Sequence, residues 1–292
     1  MYELIQVTDS CYYIQSPAKI GVIKTGPDQA CLIDSGNDKS AGRKAKKILD
    51  EQGWELKAIY NTHSHADHIG GNRYLQNQTG CKVYAHGIER ALTEYPILEP
   101  SCLYGANPPQ DLRHKFLMAQ SCEVLPMTED CLPEGLAMIC LPGHAGDMVG
   151  FRTEDDIVFL ADCLSSEAAL EKYPITFLWD VAAYLETLER VCDMQARLFI
   201  PSHADPAEDI RGLAEYNIRK VREVGDAILD LCREPAVFES VLQKLFEHYG
   251  LTMTFEQHAL VGSTVRSYLT WLKDQERLAA EFDDNMLLWR AV

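Results

Sequence analysis

The stretch Thr62-His63-Ser64-His65-Ala66-Asp67-His68-Ile69-Gly70-Gly71 sets three imidazoles and a carboxylate within six consecutive positions, between an apolar run and a glycine pair. An ordinary surface loop or core segment has no use for such a density of donors. Neutral imidazole nitrogen and carboxylate oxygen suit zinc and other borderline divalent ions, so the run reads as the floor of a metal site. The apolar run before it, Ala58 to Tyr60, predicts a buried strand that ends where the donors begin, and helical spacing follows from Ile69 to Gln78. Donors at the end of a strand lie where α/β proteins commonly place their sites.

The rest of the chain supplies a frame for that loop. Short β-like pieces at Tyr2 to Val7, Tyr12 to Gln15, Ile20 to Thr25 and Ala30 to Ile33, broken by Ser16-Pro17 and Gly26-Pro27, predict an antiparallel meander. Lys39 to Gln52 has helical spacing, with Ala45, Ile48 and Leu49 inward and lysines outward, and stops at Gly53. Further strands are expected near Lys82 to Ala85, Cys122 to Leu125, Ala137 to Leu141, Val149 to Arg152 and Ile157 to Leu160. A helix around Val181 to Asp193 and a last strand, Leu198 to Pro201, then lead into Ser202-His203. The proline- and aromatic-bearing stretch from Ile88 to Ser121 reads as an insertion beside the site, either a substrate wall or a surface excursion. Beyond about Ala207 the pattern turns helical, at Ile210 to Cys232, Phe238 to His248 and Phe255 to Lys273, and ends in two short strands around Asp283-Asp284-Asn285. Three helices and a hairpin predict a winged-helix-like unit over residues 210–292, behind a catalytic unit over 1–209.

Charge narrows the partners. With 27 Lys and Arg against 44 Asp and Glu, the net charge of −17 repels phosphate backbones, and the tail from Arg211 onward carries 10 basic against 13 acidic residues. Nucleic acid is therefore excluded as a partner, and a small-molecule substrate is expected. Packing on the catalytic unit, formation of a homodimer, or capping of the active site remain as roles for the tail. No apolar run is long enough to span a bilayer, and Met1 to Ser10 lacks a basic n-region, so no membrane association and a cytoplasmic location are expected. The ten cysteines include no Cys-x-x-Cys pair and read as reduced thiols.

The His63-x-His65-x-Asp67-His68 signature is followed by Gly143-His144, by Ala161-Asp162 after an apolar strand, and by Ser202-His203 after another. This series resembles the metallo-β-lactamase superfamily of hydrolases over about residues 1 to 210. The resemblance implies an α/β fold, a four-layer αββα sandwich of two mixed sheets between helices, here with the helical, winged-helix-like appendage. It implies that His63, His65 and His144 hold one metal ion, that Asp67, His68 and His203 hold a second, and that Asp162 bridges the two. Two zinc ions are expected, with iron or manganese as alternatives that the same donors accept. A water shared between two cations would lose a proton near neutral pH and attack a carbonyl as bridging hydroxide, with Asp67 as a catalytic group that orients it or relays its proton.

Aspartate rather than cysteine at position 162 resembles dinuclear thioesterases and lactonases more than the zinc β-lactamases, and Cys163 is expected in the core. The segment Ala145-Gly146-Asp147-Met148 departs from the family's usual Thr-Pro-Gly-Ser, which makes Asp147 a candidate outer partner of the site. The expected function is a dinuclear metal-dependent hydrolase of a small carbonyl substrate, a thioester of the glyoxalase II type or a lactone, with Tyr104, Phe177 and Trp179 as candidate substrate walls. An iron-dependent persulfide dioxygenase is one alternative. A non-catalytic metal-binding sensor or scaffold with a partner-binding tail is another. His86, His114, His248 and His258 lack neighbouring donors and read as structural or solvated.

Overall fold

The computed structural model describes residues 2–292, and the expected meander opens its first sheet. Strands β1 (Glu3–Gln6), β2 (Cys11–Gln15), β3 (Ile20–Gly26) and β4 (Gln29–Ile33) pair antiparallel in sequence order, with Leu4 opposite Ile14, Tyr13 opposite Gly21 and Val22 opposite Leu32. Helix α1 (Lys39–Gln52) has the bounds that the sequence predicts. Its start is held by the Asp38 carboxylate, which accepts from the N–H groups of Ser40 and Ala41, and it stops at Gly53. It crosses over so that β5 (Glu55–Tyr60) lies parallel to β4.

After β5 the helix expected at Ile69 to Gln78 is two helices, α2 (Ala66–Ile69) and α3 (Asn72–Thr79). The Gly71 N–H donates to the Gly36 carbonyl at 3.2 Å and to Ser35 Oγ at 3.1 Å, which ties the chain to the β4 loop instead of continuing the turn. The sheet is completed by β6 (Lys82–Ala85), helices α4 (Gly87–Glu94) and α5 (Leu98–Tyr104), and a parallel edge, β7 (Leu125–Pro126). The strand expected at Cys122 to Leu125 is reduced to this stub because side chains take its backbone groups. Gln76 both donates to the Glu123 carbonyl and accepts from the Glu123 N–H, and Arg90 Nε donates to the Val124 carbonyl.

The second sheet has the order β11-β10-β9-β8 and is built from β8 (Leu136–Cys140), β9 (Val149–Thr153), β10 (Ile157–Ser165) and, after α6 (Glu167–Lys172) and α7 (Val181–Asp193), the parallel strand β11 (Leu198–His203). The chain continues through α8 (Arg211–Leu231), α9 (Phe238–His248) and α10 (Phe255–Asp274) to a hairpin of β12 (Leu278–Asp283) and β13 (Met286–Ala291).

Strand alternation sorts the apolar residues into the layers. On β4, Leu32 faces the helices and packs with Ala45, Leu49 and Leu75, while Cys31 and Ile33 face the second sheet. On β10, Ile157 and Phe159 meet them between the sheets with Phe151 and Ile200, and Val158 and Leu160 face outward. That outer face packs against Leu188 of α7, Val224 of α8 and Leu269 of α10, so the C-terminal helices share one core with the second sheet. The result is the αββα layering. Wholly buried side chains such as Phe151 contribute about 1.5–3 kcal/mol each. Cys163 is wholly buried in the same outer core, and every cysteine is a free thiol. Among the described residues no helix is long and apolar enough to cross a membrane.

Candidate metal centre

One edge of the sandwich collects the ends of five segments. The β4 end brings Asp34, the loop after β5 brings His63 to His68, the β8–β9 loop brings His144, β10 brings Asp162, and β11 ends on His203. Donor atoms of His63, His65 and His144 lie within 4.8 Å of one another, as do those of Asp67, His68, Asp162 and His203. Asp162 touches both groups, its Oδ2 standing 3.6 Å from His144 Nε2 and 3.2 Å from His203 Nε2, and its Oδ1 3.0 Å from His68 Nε2. All seven residues named from the sequence therefore meet at one place.

The backbone is bent to achieve this. Ala161 takes a positive φ of 50° at an irregularity in the β10–β11 pairing, a conformation that costs a non-glycine residue about 1 kcal/mol or more and turns Asp162 out of the strand's alternation. Gly143 has φ 126°, and a Cβ there would stand 2.3 Å from the backbone of Tyr184, so only glycine lets the His144 loop lie on α7. Lys19, buried in the β2–β3 turn, donates to the carbonyls of Pro201 at 3.3 Å and of Ala204, clamping the end of β11.

Each histidine is tied at the nitrogen that faces away from the cluster, and these ties assign the tautomers. Thr62 Oγ1 gives its proton to Asp34 Oδ2 at 2.7 Å and so accepts from His63 Nδ1 at 3.0 Å. His144 Nδ1 donates to the Phe177 carbonyl at 3.1 Å, His203 Nδ1 to the Pro17 carbonyl at 3.0 Å, and His68 Nδ1 to Asp34 Oδ2 at 2.8 Å. His65 turns its Nε2 toward Glu99 Oε1 at 3.4 Å. The inward atoms of the first group are then three lone pairs, with His65 Nδ1 only 3.0 Å from both His63 Nε2 and His144 Nε2. Lone pairs so close repel unless a cation lies between them. In the second group, buried His68 Nε2 and Asp162 Oδ1 face each other at 3.0 Å but make no aligned hydrogen bond, to each other or to any other group. Both observations fit metal ions.

Charge divides the two groups. Burial, aided by the neighbouring imidazoles, holds His63 well below the ordinary histidine value, and burial together with His65 lowers His144 to about 3. Asp162 raises His203 to about 10, against the opposing effect of burial. Burial likewise opposes charge on His68, yet the carboxylates of Asp162, Asp67 and Asp34 push it well up. For Asp67, burial is outweighed by His68 and His203, which bring it down to about 2.

A cavity of about 220 Å³ opens onto the cluster, lined beside the donors by Ala66, Glu99, Phe116, Leu117, Phe177 and Leu260. Of the three candidate wall residues, Phe177 lines this cavity, its ring 5.0 Å from that of His65. Tyr104 lines instead an outer groove of about 630 Å³ between α5, α7 and α10, and Trp179 borders both that groove and a small pocket beside His65, Glu99 and Phe177. The insertion and α10 meet over the cavity through Leu103, Leu112, Leu117 and Ala259, and through a His114–Glu256 contact of 3.2 Å. His86 contacts the Met127 carbonyl and His258 contacts Glu239, both away from the cluster. Asp147 hydrogen-bonds to none of the seven donor side chains; its Oδ2 accepts from the Ile88 N–H at 2.7 Å.

Sequence reasoning misses Asp34, Glu89 and Glu99. Asp34 carries a readable signal, a lone carboxylate directly after the apolar strand Ala30 to Ile33. The glutamates carry none.

Comparison with known proteins agrees with this geometry. The family model described as the metallo-beta-lactamase superfamily matches residues 14–203, which include every donor above. The probable metallo-hydrolase YflN of Bacillus subtilis is 26% identical over 220 residues, covering 67% of this chain and 80% of that protein. A hydroxyacylglutathione hydrolase of Methylococcus capsulatus is 44% identical over 119 residues, but these are only 40% of this chain and 38% of the relative. Two solved structures share the fold over 99% of this chain. One is a metallo-beta-lactamase family protein from Thermus thermophilus (TM-score 0.69, 16% identity, 98% of that chain), the other a beta-lactamase domain protein from Burkholderia ambifaria (TM-score 0.71, 17% identity, 94% of that chain). With the family match spanning most of its length and all of its donor segments, this chain belongs to the metallo-β-lactamase superfamily.

Proposed function

We propose that the chain is a dinuclear zinc hydrolase that cleaves a small carbonyl substrate, a thioester or a lactone. The observation that carries this reading is the convergence of three imidazole lone pairs on one point and their linkage, through Asp162, to a second group of one carboxylate and two imidazoles. A purely structural site would be closed by four donors and would not need the second group. When bound, two cations supply Lewis acidity and make a shared water acidic enough to react near neutral pH.

The chain's own residues do the rest. Asp67 Oδ2, 3.2 Å from His203 Nε2 and open to the cavity, holds and relays the proton that the attacking water loses. Phe116, Leu117, Phe177 and Leu260 take the apolar part of the acyl group and exclude bulk water. Among the described residues no lysine or arginine lines the cavity, which suits an uncharged reacting group. The thioester class is supported by the 44% identity to a hydroxyacylglutathione hydrolase in the matched segment.

The test is elemental analysis combined with hydrolysis assays on acyl thioesters, lactones and phosphodiesters. About two metal equivalents and cleavage of a thioester or lactone are expected. His65→Ala and Asp162→Asn should each lower the rate by about three orders of magnitude, the several kcal/mol that metal-ion catalysis supplies, while the fold persists. Undiminished turnover in either variant would defeat the reading.

A further inference from the structure

The three imidazoles of the first group come from opposite sheets. His63 and His65 sit on the loop after β5, His144 on the loop between β8 and β9. At their roots the loops are joined by one backbone bond, from the Val149 N–H to the Thr62 carbonyl at 2.9 Å. At their tips the link is a side chain. Glu89, wholly buried on the first turn of α4, accepts from the Ser64 N–H through Oε2 at 2.9 Å and from the Asp147 N–H through Oε1 at 3.1 Å. Ser64 stands between His63 and His65, and Asp147 is three residues past His144.

The clasp is reciprocal. The Asp147 carboxylate returns to the start of α4 and accepts from the Ile88 N–H at 2.7 Å. The fit leaves no slack: Gly87 has φ 49°, and a Cβ there would stand 2.0 Å from Asp147 Oδ2. A buried carboxylate can be satisfied by N–H donors on both oxygens, and such charge-assisted bonds are stronger than neutral ones. Both oxygens of Glu89 are used in this way, and both partners are backbone groups of donor loops. A solvated helix glutamate, the ordinary reading of this position, would touch neither.

We propose that Glu89 is a positioning residue of the first group: it sets the spacing of His63 and His65 against His144, and so the metal affinity of that group. The inference rests on the reading that these histidines hold a metal ion. Glu89→Gln is the sharpest test, because the amide has nearly the same shape but offers one acceptor. Its NH2 would confront either the Ser64 or the Asp147 N–H in a dry site, and one loop must move.

The experiment is a chelator-competition titration of the whole chain with zinc, with histidine ring nitrogen shifts reporting which group fills. Glu89→Gln should lose about 10- to 100-fold in affinity at the first group, the usual cost of removing an outer partner, while the second group stays within a few-fold of wild type. Asp147→Ala, at a less buried position, removes the return half of the clasp and should shift the same group in the same direction by less; it also serves if Glu89→Gln fails to fold. Unchanged first-group affinity in either folded variant, or equal losses at both groups, would overturn the assignment. A wild-type chain that takes up no zinc would instead overturn the function proposed above.

Discussion

The two halves of the candidate centre are built on opposite electrostatic plans. His63, His65 and His144 are an all-nitrogen set in which burial keeps His63 and His144 uncharged. Asp67, His68, Asp162 and His203 form a charged set in which carboxylates make His68 and His203 hold their protons. The first half is ready for a cation at neutral pH, whereas the second must release protons to take one. A carboxylate that touches both groups, Asp162, therefore does not make them electrostatically alike.

The largest expected effect follows directly. Because His68 and His203 are raised above 6.5 without metal, an incoming ion displaces their protons, so affinity at the second half should climb by about tenfold or more per pH unit from pH 6 to 8. The first half should vary far less. Zinc competition titrations at several pH values would show this, and parallel slopes would erase the contrast. The stability of metal-free protein has the opposite sign. The pairing of His203 with Asp162 is fully present below the ordinary value of 6.5 and is lost as pH rises through about 10. Chelator-treated protein should therefore lose Tm between pH 7 and 10, and metal-loaded protein should keep it.

The donors of both halves are legible in the sequence because their chemistry is carried by side chains, and six consecutive positions hold four of them. Helices α1 and α7 are legible to the residue because capping side chains mark their starts: Asp38 accepts from Ser40 and Ala41, and Asp180 from Ala183. What holds the donors is not legible. The Phe177 and Pro17 carbonyls that orient His144 and His203 belong to the backbone, which has no signature in residue type. Glu89 and Glu99 are indistinguishable in sequence from the solvated acids that make this chain so negative. The strand expected at Cys122 to Leu125 fails for a related reason, since Gln76 and Arg90 satisfy backbone groups that periodicity assigns to a neighbouring strand.

Asp34 is an outer partner that serves both halves, so it offers the next largest effect. Its Oδ2 accepts from His68 Nδ1 and from Thr62 Oγ1, and the latter in turn orients His63. Asp34→Asn should place an amide donor against these donors and weaken both halves by about 10- to 100-fold. Thr62→Val, which removes only the relay to His63, should weaken the first half alone. If both substitutions act on one half only, the two plans are independent and the link through Asp34 is not energetic.

The smallest expected effect concerns Glu99, which α5 carries from the insertion to His65. Burial raises its carboxyl above the usual range while His65 lowers it and Glu89 raises it further, and its contact with His65 Nε2 is long at 3.4 Å. A bond near the outer limit of useful geometry contributes little, so Glu99→Gln should weaken the first half by about threefold and leave the second unchanged. Titration with zinc at one fixed pH would read both, since proton competition at the second half is then the same in variant and wild type. A loss as large as that from Asp34→Asn would mean the contact tightens when the ion is bound. The insertion would then be part of the first half's design, and the contrast between the halves would extend to their supports: both lean on a backbone carbonyl and, directly or through Thr62, on Asp34, but a glutamate from an added helix is pressed onto the first.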